Sequence, residues 1–199
     1  MTTDTPPRRR DATGTQRLLL DAARQRFAAH GYAATTVREI ADDAGVNVAL
    51  INRYFDSKEG LFKACLVGAA DEIDRSVRDQ VTVDQIPAAI AAQITGNRDG
   101  LPPTRLLLLL RSSGNERADQ IRRDVLHTFA VRLATVAGWQ PGDDQLLLRA
   151  EMLLSAVLGI TLLRYSTGLE PLTAATEQDL IAPLRDLTEA LLRNPPMPR

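Results

Sequence analysis

Gly45 falls between two short runs whose apolar residues recur at helical spacing, and that interruption limits what residues 35–60 can build. Upstream, Val37, Ile40, Ala41 and Ala44 share one helix face. Thr35 or Thr36 caps that helix, its hydroxyl accepting a bond from a free first-turn amide. Downstream, a third short helix starts near Asn47 and ends near Tyr54, with Val46, Ile51 and Phe55 spaced to anchor it from behind. Two short helices with a common apolar underside and a glycine-containing turn have the pattern of a helix-turn-helix. In such a unit the second helix enters the major groove of DNA, so it is short and shows small or polar residues outward. Asn47, Asn52 and Arg53 suit that face. Asp56 or Ser57 caps the next helix, with Glu59 at capping-box distance from Asp56, and this fourth helix runs to about Gln80. Lys58 and the free amides at its start are placed to grip a phosphate. A helical hairpin with a solvated outer face fits the same spacing, and physics alone leaves both readings open.

A first helix is expected from Thr15 to His30, because Leu19, Leu20, Ala23 and Phe27 fall on one side and Gly31 sits at the stop. Residues 1–12, with two prolines and Arg8-Arg9-Arg10, read as a disordered basic tail. That cluster is either an arm for a neighbouring minor groove or simply solvated, and its shortness favours the second. Arg26 stands where the first helix calls for an apolar residue. Residues 1–63 hold 10 Lys/Arg against 8 Asp/Glu and the remainder 14 against 17, so DNA binding has to rest on where the charges sit.

The runs "LLDAARQRFAAHGY" and "TTVREIADDAGVNVALINRYFDSKEGLF" resemble the DNA-binding segment of the tetracycline-repressor (TetR) family of bacterial transcriptional regulators. The resemblance implies that Thr36 and Val37 start the second helix beside the DNA backbone. It implies that Asn47, Val48 and Ala49 open the recognition helix where family members touch bases, and that Tyr54 and Lys58 fall where the family clamps phosphates. Asn52 replaces a usual aromatic and Leu50 a small hydroxyl residue. An asparagine there pairs with adenine or touches a phosphate, and Val48 or Ala49 suits a thymine methyl.

Beyond residue 60 the pattern stays helical. Segments at 83–95, after Pro102-Pro103 with the "RLLLLLR" run, at 115–138, at 143–168 and at 176–194 give an all-α fold of about nine helices, without alternating strands. Leu146 to Tyr165 is apolar on every side and long enough for a bilayer, but Arg149, Glu151 and Arg164 argue for a buried soluble helix. The last helix carries Leu180, Leu184, Leu187 and Leu191 as a seam, with a kink expected at Pro183. Leu153, Leu154, Val157 and Leu158 together with Leu184, Leu187 and Leu191 are expected to form half of a four-helix interface between two copies. A homodimer sets two recognition helices against a palindrome; a monomer whose last helices fold inward is the alternative.

The domains expected are a helix-turn-helix unit over 13–60 and a ligand-binding and dimerisation unit over 61–195. The resemblance implies that the latter binds a small molecule among its middle helices, and "LLLLLRSSGNE", "GITLLRYSTGLEPL" and "APL" are similar to a variant seen in actinobacterial members. Leu66, Leu107, Leu110, Arg111 and His127 are the candidate lining residues. Arg111 either neutralises an acidic ligand or caps its own helix, and His127 points into a cavity or to the surface. Trp139 covers the core edge and Cys65 is a small buried apolar residue. A ligand that tilts the fourth helix resets the spacing of the reading heads and weakens DNA binding by linkage.

Two histidines, His30 and His127, with one cysteine supply no metal cluster, and no nucleophile elbow, Walker loop or dinucleotide turn is present. Neither catalysis, a cofactor nor a metal is expected. The single cysteine and the lack of an apolar run behind "MTTDTPPRRR" suit the cytoplasm. The reading is a ligand-responsive DNA-binding regulator, a repressor by default. The alternative is a small-molecule-binding or scaffold protein of the same fold without tight DNA binding.

Overall fold

A computed structural model describes residues 8–77, 82–96, 108–109 and 115–193. These contain eight α-helices and no strand: α1 (Arg8–Ala34), α2 (Val37–Asp43), α3 (Ala49–Phe55), α4 (Lys58–Val77), α5 (Ile86–Thr95), α6 (Glu116–Val136), α7 (Asp144–Ser166) and α8 (Glu177–Thr188). A 3₁₀ turn, Val83–Gln85, leads into α5, and a π turn, Glu189–Arg193, follows α8. The helix expected after Pro102-Pro103 lies outside the described residues except for Leu108 and Leu109, which are helical and buried.

Helix α1 begins at Arg8 rather than Thr15, so residues 8–12 are helix and not tail. Arginine and alanine are strong helix formers, and an N-terminus tolerates prolines just upstream. Its other end breaks at Gly31, which takes φ 82°, a backbone that L side chains avoid. The buried Thr35 ties this bend down, its hydroxyl donating to the carbonyls of Gly31 (2.8 Å) and Arg26 (3.3 Å).

The first core lies where α1, α2, α3 and α4 meet. Phe27, Tyr32 and Phe62 form an aromatic trio, with ring centroids 4.9–5.7 Å apart. Leu19, Ile40, Ile51, Leu61 and Leu66 pack with them, fully buried. Each such side chain contributes roughly 1.5–3 kcal/mol on burial. The same cluster continues without a gap into Leu108, Leu109 and the inward stripe of α6, Ala118, Val125 and Phe129. Buried Arg122 shares that stripe and pairs with Asp119 one turn back.

A second core joins Ile86, Ala134, Ala150, Leu153 and Leu192, and a third packs Ala91 and Ile94 of α5 on Leu180 and Leu184 of α8. Tyr165 fastens α7 to α5 by donating its hydroxyl to the Ile94 carbonyl, 2.7 Å away. Trp139 donates its indole N–H to the Asp143 carbonyl at 2.9 Å, closing the turn before α7.

The expectation that α7 is buried all round does not hold within one chain. Only Ala150 and Leu153 are buried, while Leu148 is 56% exposed, Met152 52% and Leu163 42%. One helix presents only one stripe to its own domain, and the opposite face here is apolar and open to solvent. Leu153 and Leu184, expected at an interface between copies, therefore belong to the interior of this chain. Leu154, Val157, Leu158, Leu187 and Leu191 are half-buried. By length and composition α7 is able to cross a membrane. Helix α8 starts on a capping box between Thr176 and Asp179, continues through Pro183, and loosens only at the π turn, later than the kink expected.

Candidate nucleic-acid interface

Helix α2 begins on Thr36, whose hydroxyl oxygen accepts the Glu39 amide (3.3 Å) while Glu39 accepts the Thr36 amide in return (2.8 Å). The Thr36 hydroxyl and amide hold the Glu39 carboxyl below the usual carboxylate range. The helix ends on Gly45 at φ 65°, with the Val46 amide bonded to the Ala41 carbonyl (3.0 Å) and the Gly45 amide to that of Asp42 (3.1 Å). This is a Schellman stop, with glycine where the left-handed backbone is needed.

Arg26 explains itself across the gap from α1 to α2. Its guanidinium pairs with Asp43 through two nitrogens and reaches Glu39 at 3.3 Å. A bidentate fork fixes direction as well as distance. Arg26 is therefore a strut holding α2 to α1, not a packing fault. The hydrogen bond from Arg26 keeps the Asp43 carboxyl below its ordinary range.

Asn47 lies in the turn rather than in α3, and its Oδ1 accepts the Ala49 amide at 2.8 Å, so it starts the helix from outside. Ile51 is the buried anchor of α3, with Val46, Leu50, Tyr54 and Phe55 packed half-buried around it. The unusual Leu50 thus serves the core. What α3 leaves outward is Val48, Ala49, Asn52 and Arg53, all exposed. Arg53 lies 5.9 Å over the Tyr54 ring, and Tyr54 meets Phe55 edge-on.

The turn into α4 decides between the two caps weighed. Ser57 caps, its Oγ accepting the Gly60 amide at 3.1 Å. Asp56 adopts φ 64°, and the Ser57 amide donates to the Phe55 carbonyl at 2.7 Å, making a γ-turn. Lys58, first in α4, holds its ammonium 4.3 Å from the centroid of the Tyr32 ring. Burial lowers the Lys58 pKa from its ordinary value. Burial, followed by Glu59, pushes the Tyr32 hydroxyl up to about 12. Sequence reasoning missed Tyr32 altogether; the only signal was an aromatic just past a helix stop.

Thr36, Val37, Asn47, Val48, Ala49, Asn52, Arg53, Tyr54 and Lys58 thus fall in one region, on α2, α3 and the head of α4. Of the cavity candidates, Leu66 and His127 lie among the described residues. Leu66 is fully buried in the first core, and His127 is exposed with its Nδ1 3.9 Å from Glu151, placing it on the surface. Leu107, Leu110 and Arg111 lie outside the described residues. An open apolar groove of about 740 Å³ runs instead between α7, the 171–175 turn and α8, lined by Ile160, Leu172, Leu180, Pro183 and Leu187.

Residues 19–65 match the family model described as bacterial regulatory proteins, tetR family, and residues 84–192 match that of a tetracyclin repressor-like C-terminal domain. The chain is 36% identical over 101 residues to the HTH-type transcriptional regulatory protein RaaS of Mycobacterium tuberculosis, covering 51% of this chain and 47% of that one. It is 40% identical over 80 residues to the HTH-type transcriptional repressor KstR2 of Rhodococcus jostii, covering 39% of each. The matched stretches thus span half or less of those relatives' own lengths. The solved structure of a TetR-family transcriptional regulator from Syntrophomonas wolfei superposes with a TM-score of 0.66 at 14% identity, covering 92% of this chain and 96% of that one, which shows a shared fold.

Proposed function

The chain belongs to the TetR family of bacterial regulatory proteins, and from this we infer a cytoplasmic, ligand-responsive repressor that holds a palindromic operator as a homodimer. The observation that carries the reading is the outward face of α3, Val48, Ala49, Asn52 and Arg53, set on the fully buried Ile51 and flanked by Thr36 and Lys58. A short helix anchored from one side leaves its other side free for base edges, while a cap hydroxyl and an ammonium beside it suit phosphates. Residues 13–60 form the reading unit and 61–195 the effector and dimerisation unit.

The open apolar face of α7, with Leu148, Met152 and Leu163, and half-buried Leu187 and Leu191 after it supply the surface that a second copy covers. A small apolar or amphipathic effector acts through α4, which follows the reading helix directly and packs on α6. The KstR2 relative is named a repressor, which supports that sign of regulation here.

The test is a gel shift against DNA upstream of the chain's own gene, across a salt series. A steep loss of affinity with salt is expected. Lys58→Ala weakens binding to all sequences alike and lowers the salt slope by about one, and Asn52→Ala, on the outward face of α3, changes preference at one base pair. A folded dimer that shifts no DNA at any salt overturns the reading in favour of a small-molecule-binding or scaffold protein.

A further inference from the structure

We propose that Tyr32 is a positioning residue for DNA binding: its ring is the platform that holds the Lys58 ammonium ready for a phosphate. The proposal rests on the reading of Lys58 as a phosphate contact. Lys58 Nζ stands 4.3 Å from the ring centroid, inside the range of a cation–π contact. The ring cannot swing away. It stacks on Phe27 at 5.7 Å and meets Phe62 at 4.9 Å, and Tyr32 as a whole is buried. Phe27 and Phe62 thus hold the ring from two sides.

The neighbouring carboxylates make the platform matter. Glu39 and Glu59 both lie close enough to act on Lys58. Glu39 is engaged by the Thr36 cap and by Arg26 at 3.3 Å. Glu59 faces Arg117 of α6 at 3.8 Å. The ammonium is thus steadied by a ring quadrupole while its acidic neighbours are bound elsewhere. An arriving phosphate meets an oriented cation and has no ion pair to break among the described residues. A lysine free on its four-carbon stem loses rotamer entropy on binding, which the ring has already removed.

The experiment measures affinity for a short random-sequence duplex at several salt concentrations, with the full chain and with Tyr32→Phe, Tyr32→Leu, Lys58→Ala and Tyr32→Leu/Lys58→Ala. Tyr32→Phe keeps the ring and is expected to bind within about twofold of the native chain, whereas Tyr32→Leu loses about three- to tenfold. In the Lys58→Ala background Tyr32→Leu has no further effect. If Tyr32→Leu costs the same factor in both backgrounds, the ring acts on the fold alone and the proposal falls. If Lys58→Ala leaves affinity untouched, the phosphate reading falls first and takes the proposal with it.

A measurement on the unaltered protein covers the case in which Tyr32→Leu does not fold. Ring current should move the Lys58 ε-methylene protons upfield in the NMR spectrum, and they should stay there in the DNA complex. Their return to ordinary lysine positions when DNA binds overturns the proposal.

Discussion

Replacing Gly60 by alanine sets two effects of known size against each other. Gly60 is in the first turn of α4, where alanine is the better helix former by about 1 kcal/mol. Its backbone has no positive φ, so propensity alone says the variant gains stability. The structure says the reverse. A Cβ at this position collides with the Phe55 carbonyl oxygen and sits 3.1 Å from the carbonyl carbon. That carbonyl cannot step aside, because the Ser57 amide holds it at 2.7 Å across the γ-turn. Relief therefore requires the end of α3 to move away from α4, drawing Ile51 out of a site where it is fully buried. Overpacking of this kind costs about 1–3 kcal/mol even where side chains absorb it, and backbone sits at the upper end. The net expected loss is about 1–2 kcal/mol, with DNA affinity falling as α3 shifts. Urea unfolding followed by circular dichroism reads the first quantity, and fluorescence anisotropy with labelled DNA the second. Gly14→Ala is the control, since that glycine lies inside α1 with nothing within 4 Å of an added Cβ. It should gain about 0.5–1 kcal/mol. A Gly60→Ala chain that gains as much as the control and binds DNA unchanged refutes the reasoning.

Asp56→Gly relieves a non-glycine residue at φ 64° and should raise the urea midpoint by the equivalent of roughly 1 kcal/mol; an unchanged or lower midpoint refutes the strain argument. Tyr32 titrates late: its folded pKa, about 12, lies above the ordinary 10.0, so the stability it contributes is fully present below pH 10 and is lost as pH rises toward 12. An ultraviolet pH titration should show one late-ionising tyrosine, absent in Tyr32→Phe. Met152→Glu places a charge on the open face of α7 at a half-exposed site, leaving the monomer's stability within about 0.5 kcal/mol. Sedimentation should then show single chains and anisotropy weaker operator binding; an unchanged dimer refutes the assignment of that face.

The reading unit was legible because its signals are local. Gly45, the Thr35-Thr36 pair that offers a cap, and the spacing that ends on Ile51 each act within one turn of chain. What stayed hidden acts across distance or depends on backbone angle. Arg26 looked like an error in a helix pattern until Asp43 arrived opposite it from the next helix. Nothing local said that Asp56 would take a positive φ and hand the cap to Ser57. In α7 the hydrophobicity runs round the whole helix, so periodicity held no clue to which side Leu153 would take. The start of α1 was misjudged because arginines before a helix read equally well as a tail.

Phe27 and Ile51 belong to the same apolar mass as Leu108, Val125 and Phe129, so among the described residues the head that reads DNA and the body share one core. Grafting a relative's head onto this body at the start of α4 would set Leu61, Phe62 and Leu66 of α4, the helix on which α1 and α3 pack, against foreign side chains. For this chain, rewriting the outward Val48, Ala49, Asn52 and Arg53 disturbs that packing less than trading the whole head.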